Sequence, residues 1–110
     1  MLEKNIEQKV CNYAKDKGIL VYKFTSPARA AVPDRMFIVD GFAIFIEFKR
    51  EGCKPTPSQV RELERLKNKN IPVFVVDNVE DGKAIIDTML QGYQGTVLLS
   101  IEDWEWWLNS

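Results

Sequence analysis

Residues 42–49, Phe-Ala-Ile-Phe-Ile-Glu-Phe-Lys, restrict the possible folds more than any other stretch of the chain. Side chains alternate along a strand, so Ala43, Phe45, Glu47 and Lys49 share one face while Ile44, Ile46 and Phe48 share the other. Both faces are apolar as far as Ile46, which predicts a central strand covered on its two sides. A sheet with helices on both faces is an α/β layer arrangement. Glu47 and Lys49 then interrupt the apolar run on one face only. A buried charge there needs a partner or a metal, because isolated charges are costly in a low dielectric.

The neighbouring segments extend this strand into a sheet. Residues 35–39 form a second apolar run, separated from the first by Asp40-Gly41, a strong short-range hairpin signal. Counting outward from that turn brings Asp34, which follows Pro33, close to Glu47 across the ladder. Upstream, residues 3–17 read as an amphipathic helix with Ile6, Val10, Tyr13 and Ala14 on one face, and Gly18 as its stop. Residues 19–24 are β-branched and aromatic, as strands are. Residues 25–33 contain two prolines and read as a loop.

Downstream, a loop over residues 50–55 leads to a helix start at Thr56, with Pro57 in the first turn and Gln59 placed to close a capping box. Val60, Leu63 and Leu66 should face inward, and Asn70 can end the helix near residue 69. Residues 71–76 are an almost uncharged, buried-type strand. Asn78 caps a third helix over residues 79–91. The order is α-β-β-β-α-β-α, a mixed sheet flanked by helices, and the crossover from residue 49 to 71 through one helix requires parallel strands. The whole 1–110 chain reads as a single domain with a Trp-rich appendix over residues 95–110. Trp104, Trp106 and Trp107 there could cap the core, form a dimer patch or stack on bases.

Composition excludes several chemistries. The 110 residues contain no histidine, so a His-based triad and imidazole-ligated zinc are absent. Cys11 and Cys53 are too few for a disulfide scaffold and read as thiols of a reducing cytoplasm. No apolar run approaches the length of a membrane span, and no export signal is visible at the N-terminus. The net charge of −1 conceals a segment of +4 over residues 23–69 and one of −6 over residues 70–110. A local phosphate-binding face is compatible with that distribution.

Glu-x-Lys alone is more often a surface or cross-strand ion pair than a site. Asp after Pro is commonly a turn residue. Their convergence at one end of a hairpin is less ordinary, because two carboxylates can hold Mg²⁺ together with waters.

Pro33-Asp34 followed by Glu47-Phe48-Lys49 resembles the PD-(D/E)XK nuclease motif. With Thr25-Ser26-Pro27, Val32-Pro33-Asp34-Arg35, Lys54-Pro55 and Ser58-Gln59, the chain is similar over residues 3–88 to the small stand-alone VRR-Nuc domains of bacteriophages. One departure is Ala31, where that family usually carries Gly. The resemblance implies a restriction-endonuclease-like α-β-β-β-α-β core. It also implies a Mg²⁺- or Mn²⁺-dependent endonuclease acting on DNA, branched or duplex, with the four-way (Holliday) junction a leading substrate. In this pattern Asp34, Glu47 and the Phe48 backbone carbonyl hold the metal, and Lys49 orients or deprotonates the attacking water. Gln59 helps place the water or Lys49, alongside its capping role. Glu7 matches an extra acidic position that reaches the metal directly or through water, although a solvated helical Glu is an equal reading. Arg29, Arg35, Arg50 and Lys54, in loops or at strand ends, are the expected DNA contacts together with Ser26, an ordinary solvated cation being the alternative reading of each arginine and lysine. Arg61, Arg65, Lys67 and Lys69, interspersed with Glu62 and Glu64, read instead as a solvated helix face. No organic cofactor and no membrane partner are expected, and the host cytoplasm is the expected location. Symmetric cutting of a junction needs two active sites and therefore a C₂ homodimer. A nuclease-fold module that binds nucleic acid or a partner without cutting it is the competing reading.

Overall fold

The Asp40-Gly41 turn sets the centre of the sheet. In the computed structural model, which describes residues 1–91, Gly41 adopts φ +87°. That is left-handed backbone which glycine adopts without strain at the second turn position. The turn joins β2 (Arg35–Val39) to β3 (Phe42–Phe48), pairing Val39 with Phe42 and continuing to Arg35 opposite Ile46. Strand β1 (Leu20–Lys23) pairs antiparallel with β2, and β4 (Val73–Val76) pairs parallel with β3. The sheet order is β1-β2-β3-β4, so β3 is internal and its last five residues are buried.

Helices α1 (Glu3–Asp16), α2 (Pro57–Asn68) and α3 (Val79–Leu90) complete the architecture. On one face α1 and α3 enclose the larger core, in which Ile6, Val10 and Ile86 meet Phe37, Ile46 and Phe48. Gly82 permits this close approach, because a Cβ there would overlap the buried Val10 side chain. On the other face α2 covers a smaller cluster of three buried residues, Phe45, Leu63 and Val73, with Phe24, Met36 and Leu66 around it. The alternation of β3 is therefore realised as two cores, one per face.

Several expectations are refined. Cys11 is buried in the α1 core, whereas Tyr13 is only half-buried and donates its hydroxyl to Asp87 of α3. Val60 and Leu66 are half-buried, and Leu63 alone of the three is fully enclosed. The uncharged run at 71–76 yields a short β4 at the sheet edge among the described residues, its inward positions Val73 and Val76 covered by helices rather than by a further strand. No helix among the described residues is long and apolar enough to cross a membrane. The appendix with Trp104, Trp106 and Trp107 lies outside the described residues.

Candidate active site

The hairpin that builds the sheet also creates its irregular end. Pairs flanking a two-residue turn are hydrogen-bonded, and the classes alternate from there, so Val39–Phe42, Phe37–Ile44 and Arg35–Ile46 are hydrogen-bonded pairs. β2 ends there, and the same register carried one step further would set Asp34 opposite Glu47, in the class whose side chains lie closest. The next hydrogen-bonded rung would join Pro33 to Phe48, but proline has no N–H to give. Phe48 N donates to Asp34 Oδ2 at 2.8 Å. The N–H and C=O of one strand residue leave on the same edge. The Phe48 carbonyl is thus directed toward the Asp34 side, where Pro33 offers no donor. On the opposite edge, Lys49 N donates to Val76 O at 2.8 Å, keeping β3 anchored to β4.

Glu47 is 2% exposed. Its Oε2 accepts a 2.7 Å hydrogen bond from Gln59 Nε2 and lies 3.6 Å from Lys49 Nζ. Its Oε1 is buried and has no partner among the described residues. Burial, with the Asp34 charge adding to it, pushes the Glu47 carboxyl up to about 8 despite the downward pull of Lys49. Burial also raises Asp34, the hydrogen bond from Phe48 N pulls it back, and Glu7 pushes it up again. At 3.6 Å the Lys49 ammonium does not offset the effect of that burial.

Gln59 closes the capping box expected of it, and its side-chain amide also reaches Glu47. Its Oε1 accepts from Thr56 N at 2.9 Å and its backbone N donates to Thr56 Oγ1 at 3.2 Å, which closes the capping box of α2. The same side-chain amide then turns its Nε2 to Glu47. Donor Thr56 N on one side and a carboxylate on the other leave only one orientation of the amide that satisfies both.

The remaining candidates are distributed around this centre. Glu7 Oε2 accepts from Arg35 Nε at 2.6 Å, so these two residues, one expected near the metal and one near DNA, are paired with each other. Arg29 Nη1 lies 3.4 Å from Glu62 Oε2 on α2. Arg50 and Lys54 are exposed on the connection into α2, and Ser26 is half-buried between β1 and β2. Glu62 corrects the reading of α2 as a plain solvated face: it is 6% exposed and also pairs with Arg65. Its i,i+3 spacing to Arg65 was visible in the sequence, but its contact with Arg29 depends on the β1–β2 connection reaching α2.

Among the described residues no group of three or more His, Cys, Asp or Glu side chains is arranged to hold a metal. The donors that do converge are two carboxylates and a main-chain carbonyl. Mg²⁺ and similar hard cations use such a set, binding one or two carboxylates and retaining water. The unpartnered Glu47 Oε1 and the raised carboxyls fit a bound cation.

No protein-family model matches the sequence. A relative from Acyrthosiphon pisum secondary endosymbiont phage 1, named "Putative nuclease p44", is 42% identical over 77 residues, covering 69% of this chain and 83% of that protein. A solved structure described as "VRR_NUC domain" is similar with a TM-score of 0.69 and 30% identity, covering 83% of this chain and 96% of its own. Another, described as "VRR_NUC domain protein", shares the fold with a TM-score of 0.64 at 18% identity, over 83% of this chain and 87% of that one.

Proposed function

We propose, because the chain belongs to the VRR-Nuc family, that it is a divalent-metal-dependent endonuclease hydrolysing DNA phosphodiester bonds. The observation that carries this reading is the buried Glu47, whose Oε1 has no partner among the described residues and whose carboxyl is pushed up further by the nearby Asp34 charge. Like charges directly opposite across a ladder are destabilising. Their retention beside a lysine is accounted for by a cation.

Asp34, Glu47 and the Phe48 carbonyl would hold Mg²⁺ or Mn²⁺, which when bound supplies polarisation of a phosphoryl oxygen and a more acidic water. Lys49 shares the face of Glu47. Its ammonium orients the attacking water and stabilises charge developing on the phosphoryl oxygens. The water oxygen bonds to phosphorus as one P–O ester bond breaks, the water proton passes to solvent or a basic neighbour, and the departing oxygen takes up a proton. Gln59 holds the Glu47 carboxylate in one rotation. Glu7 acts from behind Asp34, through its charge and its pairing with Arg35. Ser26, Arg29, Arg35, Arg50 and Lys54 contact the DNA backbone.

In this reading residues 1–110 are one nuclease domain with one active site, acting in the host cytoplasm without an organic cofactor. Branched DNA is the preferred substrate, the four-way junction first. Two symmetric cuts require two copies, so the junction-bound species is a C₂ homodimer.

Labelled four-way junction, flap and linear duplex, each incubated with the protein and Mg²⁺ or Mn²⁺, test the reading. Cleavage should vanish with EDTA and fall at least about 10³-fold in Glu47→Ala, the scale of losing a principal charge-stabilising group. The mass of the junction complex should correspond to two chains. DNA binding without cleavage in either metal would replace the enzyme with a binding module.

A further inference from the structure

Glu62 is, with Glu47, one of two buried charged side chains among the described residues, and the active site described above gives it no role. Its side chain is 8% exposed, yet it holds two guanidiniums that are more than half exposed, Arg29 at 53% and Arg65 at 58%. Both contacts fall on one oxygen: Arg65 Nη1 lies 2.8 Å and Arg29 Nη1 3.4 Å from Glu62 Oε2. Ion pairs with such exposed arginines add little stability, while burying the carboxylate is unfavourable. The arrangement does place two planar, five-donor groups side by side with most of their N–H groups unspent. Two cations on one anion also leave the cluster net positive. Paired guanidinium forks of this kind are suited to phosphate oxygens.

The cluster lies beside the candidate active site. Glu62 and Arg65 follow Gln59 on α2 by three and six residues, about 4.5 and 9 Å along the helix axis. Gln59 is the residue that touches Glu47. The connection carrying Arg29 has both ends at the site, since Phe24 N donates to Asp34 O at 2.9 Å. It then reaches α2 at Glu62.

We infer that Arg29 and Arg65, held by Glu62, form a two-guanidinium clamp for a DNA backbone phosphate flanking the scissile bond. The inference rests on the nuclease reading and deepens it. Glu62 is a positioning residue: it orders the two arginines when the protein folds, so less side-chain freedom is lost when DNA binds.

Binding of fluorescent duplex and junction DNA in EDTA, titrated over a range of salt, separates this clamp from general electrostatics. Arg65→Lys keeps the charge but loses the fork, and should weaken binding about five- to tenfold. Arg65→Gln should also lower the salt slope by about one. Glu62→Gln removes a negative charge from a DNA-facing surface. It should nevertheless weaken binding, whereas a carboxylate that merely repelled phosphate would give tighter binding when removed. Lys9→Gln, exposed on α1 across the sheet, is the matched control for one lost cation. Unaltered melting temperatures confirm that each variant is folded, and Arg65→Lys serves if Glu62→Gln is not. Binding of Arg65→Lys equal to wild type, or tighter binding by a folded Glu62→Gln, overturns the clamp. If those results accompany intact metal-dependent cleavage, the nuclease reading survives; a wild-type protein that neither binds nor cuts DNA removes both.

Discussion

At the scale of single residues, the Gln59 amide connects the fold to the chemistry. One end completes the capping box of α2 and the other fixes the Glu47 carboxylate. The two ends can be tested separately. Gln59→Glu retains an acceptor for Thr56 N but places a second carboxylate against Glu47, which is already crowded by Asp34. Gln59→Leu loses both contacts. DNA cleavage should fall about 10- to 100-fold in each, the scale of losing a partner that orients a metal ligand. Only Gln59→Leu should also lose about 1 kcal/mol of helix-cap stability. Single-turnover cleavage and thermal unfolding, measured on the same preparations, check the two halves. The Glu7–Arg35 pair teaches a related lesson. Each residue has an independent reading as a site group, yet at 2.6 Å they are first each other's partner.

At the scale of elements, the β2–β3 hairpin accounts for most of what could be read from the sequence alone. Asp40-Gly41 specifies the turn, the turn specifies the register down to Arg35 opposite Ile46, and one further step of the same period predicts Asp34 on the face of Glu47. Pro33 stops the ladder one rung early, in front of the Phe48 carbonyl. The helix caps at Thr56 and Asn78 were equally local signals. Contacts between distant segments were not legible. Glu62 meets Arg29 because the connection from β1 reaches α2, and Cys11 is buried because α1 packs face-on against the sheet. Gly82 belongs to this second class, since an isolated helical glycine says nothing of its neighbour. Alanine should improve the propensity of α3 by up to about 1 kcal/mol. Its Cβ would nevertheless overlap Val10, and overpacking costs about 1–3 kcal/mol. Gly82→Ala is therefore expected to be net destabilising, with part of the loss restored in Val10→Ala/Gly82→Ala. Chemical denaturation of the two single variants and the double variant measures that coupling.

At the scale of the whole molecule, the uncompensated carboxyls make stability depend on pH and cation together. In metal-free protein Glu47 holds its proton up to about 8, against an ordinary value of 4.5, and Asp34 is shifted the same way. The native state thus binds more protons than the unfolded chain across that window, and stability falls as pH rises through it. Thermal unfolding in EDTA should show Tm declining between pH 5 and 8. Mg²⁺ or Mn²⁺ should reverse the decline, because a ligand of the native state at a hundredfold excess over its Kd adds about 2.7 kcal/mol. A Tm that is flat in pH and unmoved by either cation would contradict the site. The two faces of the sheet also differ in what they must withstand. The α1–α3 side holds the larger core, while the side bearing Glu47, Lys49 and Gln59 is closed by α2 over three buried residues. Local opening free energies follow buried apolar contacts. Amide hydrogens of α2 should therefore exchange through smaller fluctuations than those of α1, α3 and β3, which hydrogen–deuterium exchange checks. A strand of nucleic acid bound as proposed would meet the more yielding half of the molecule and leave the larger core undisturbed.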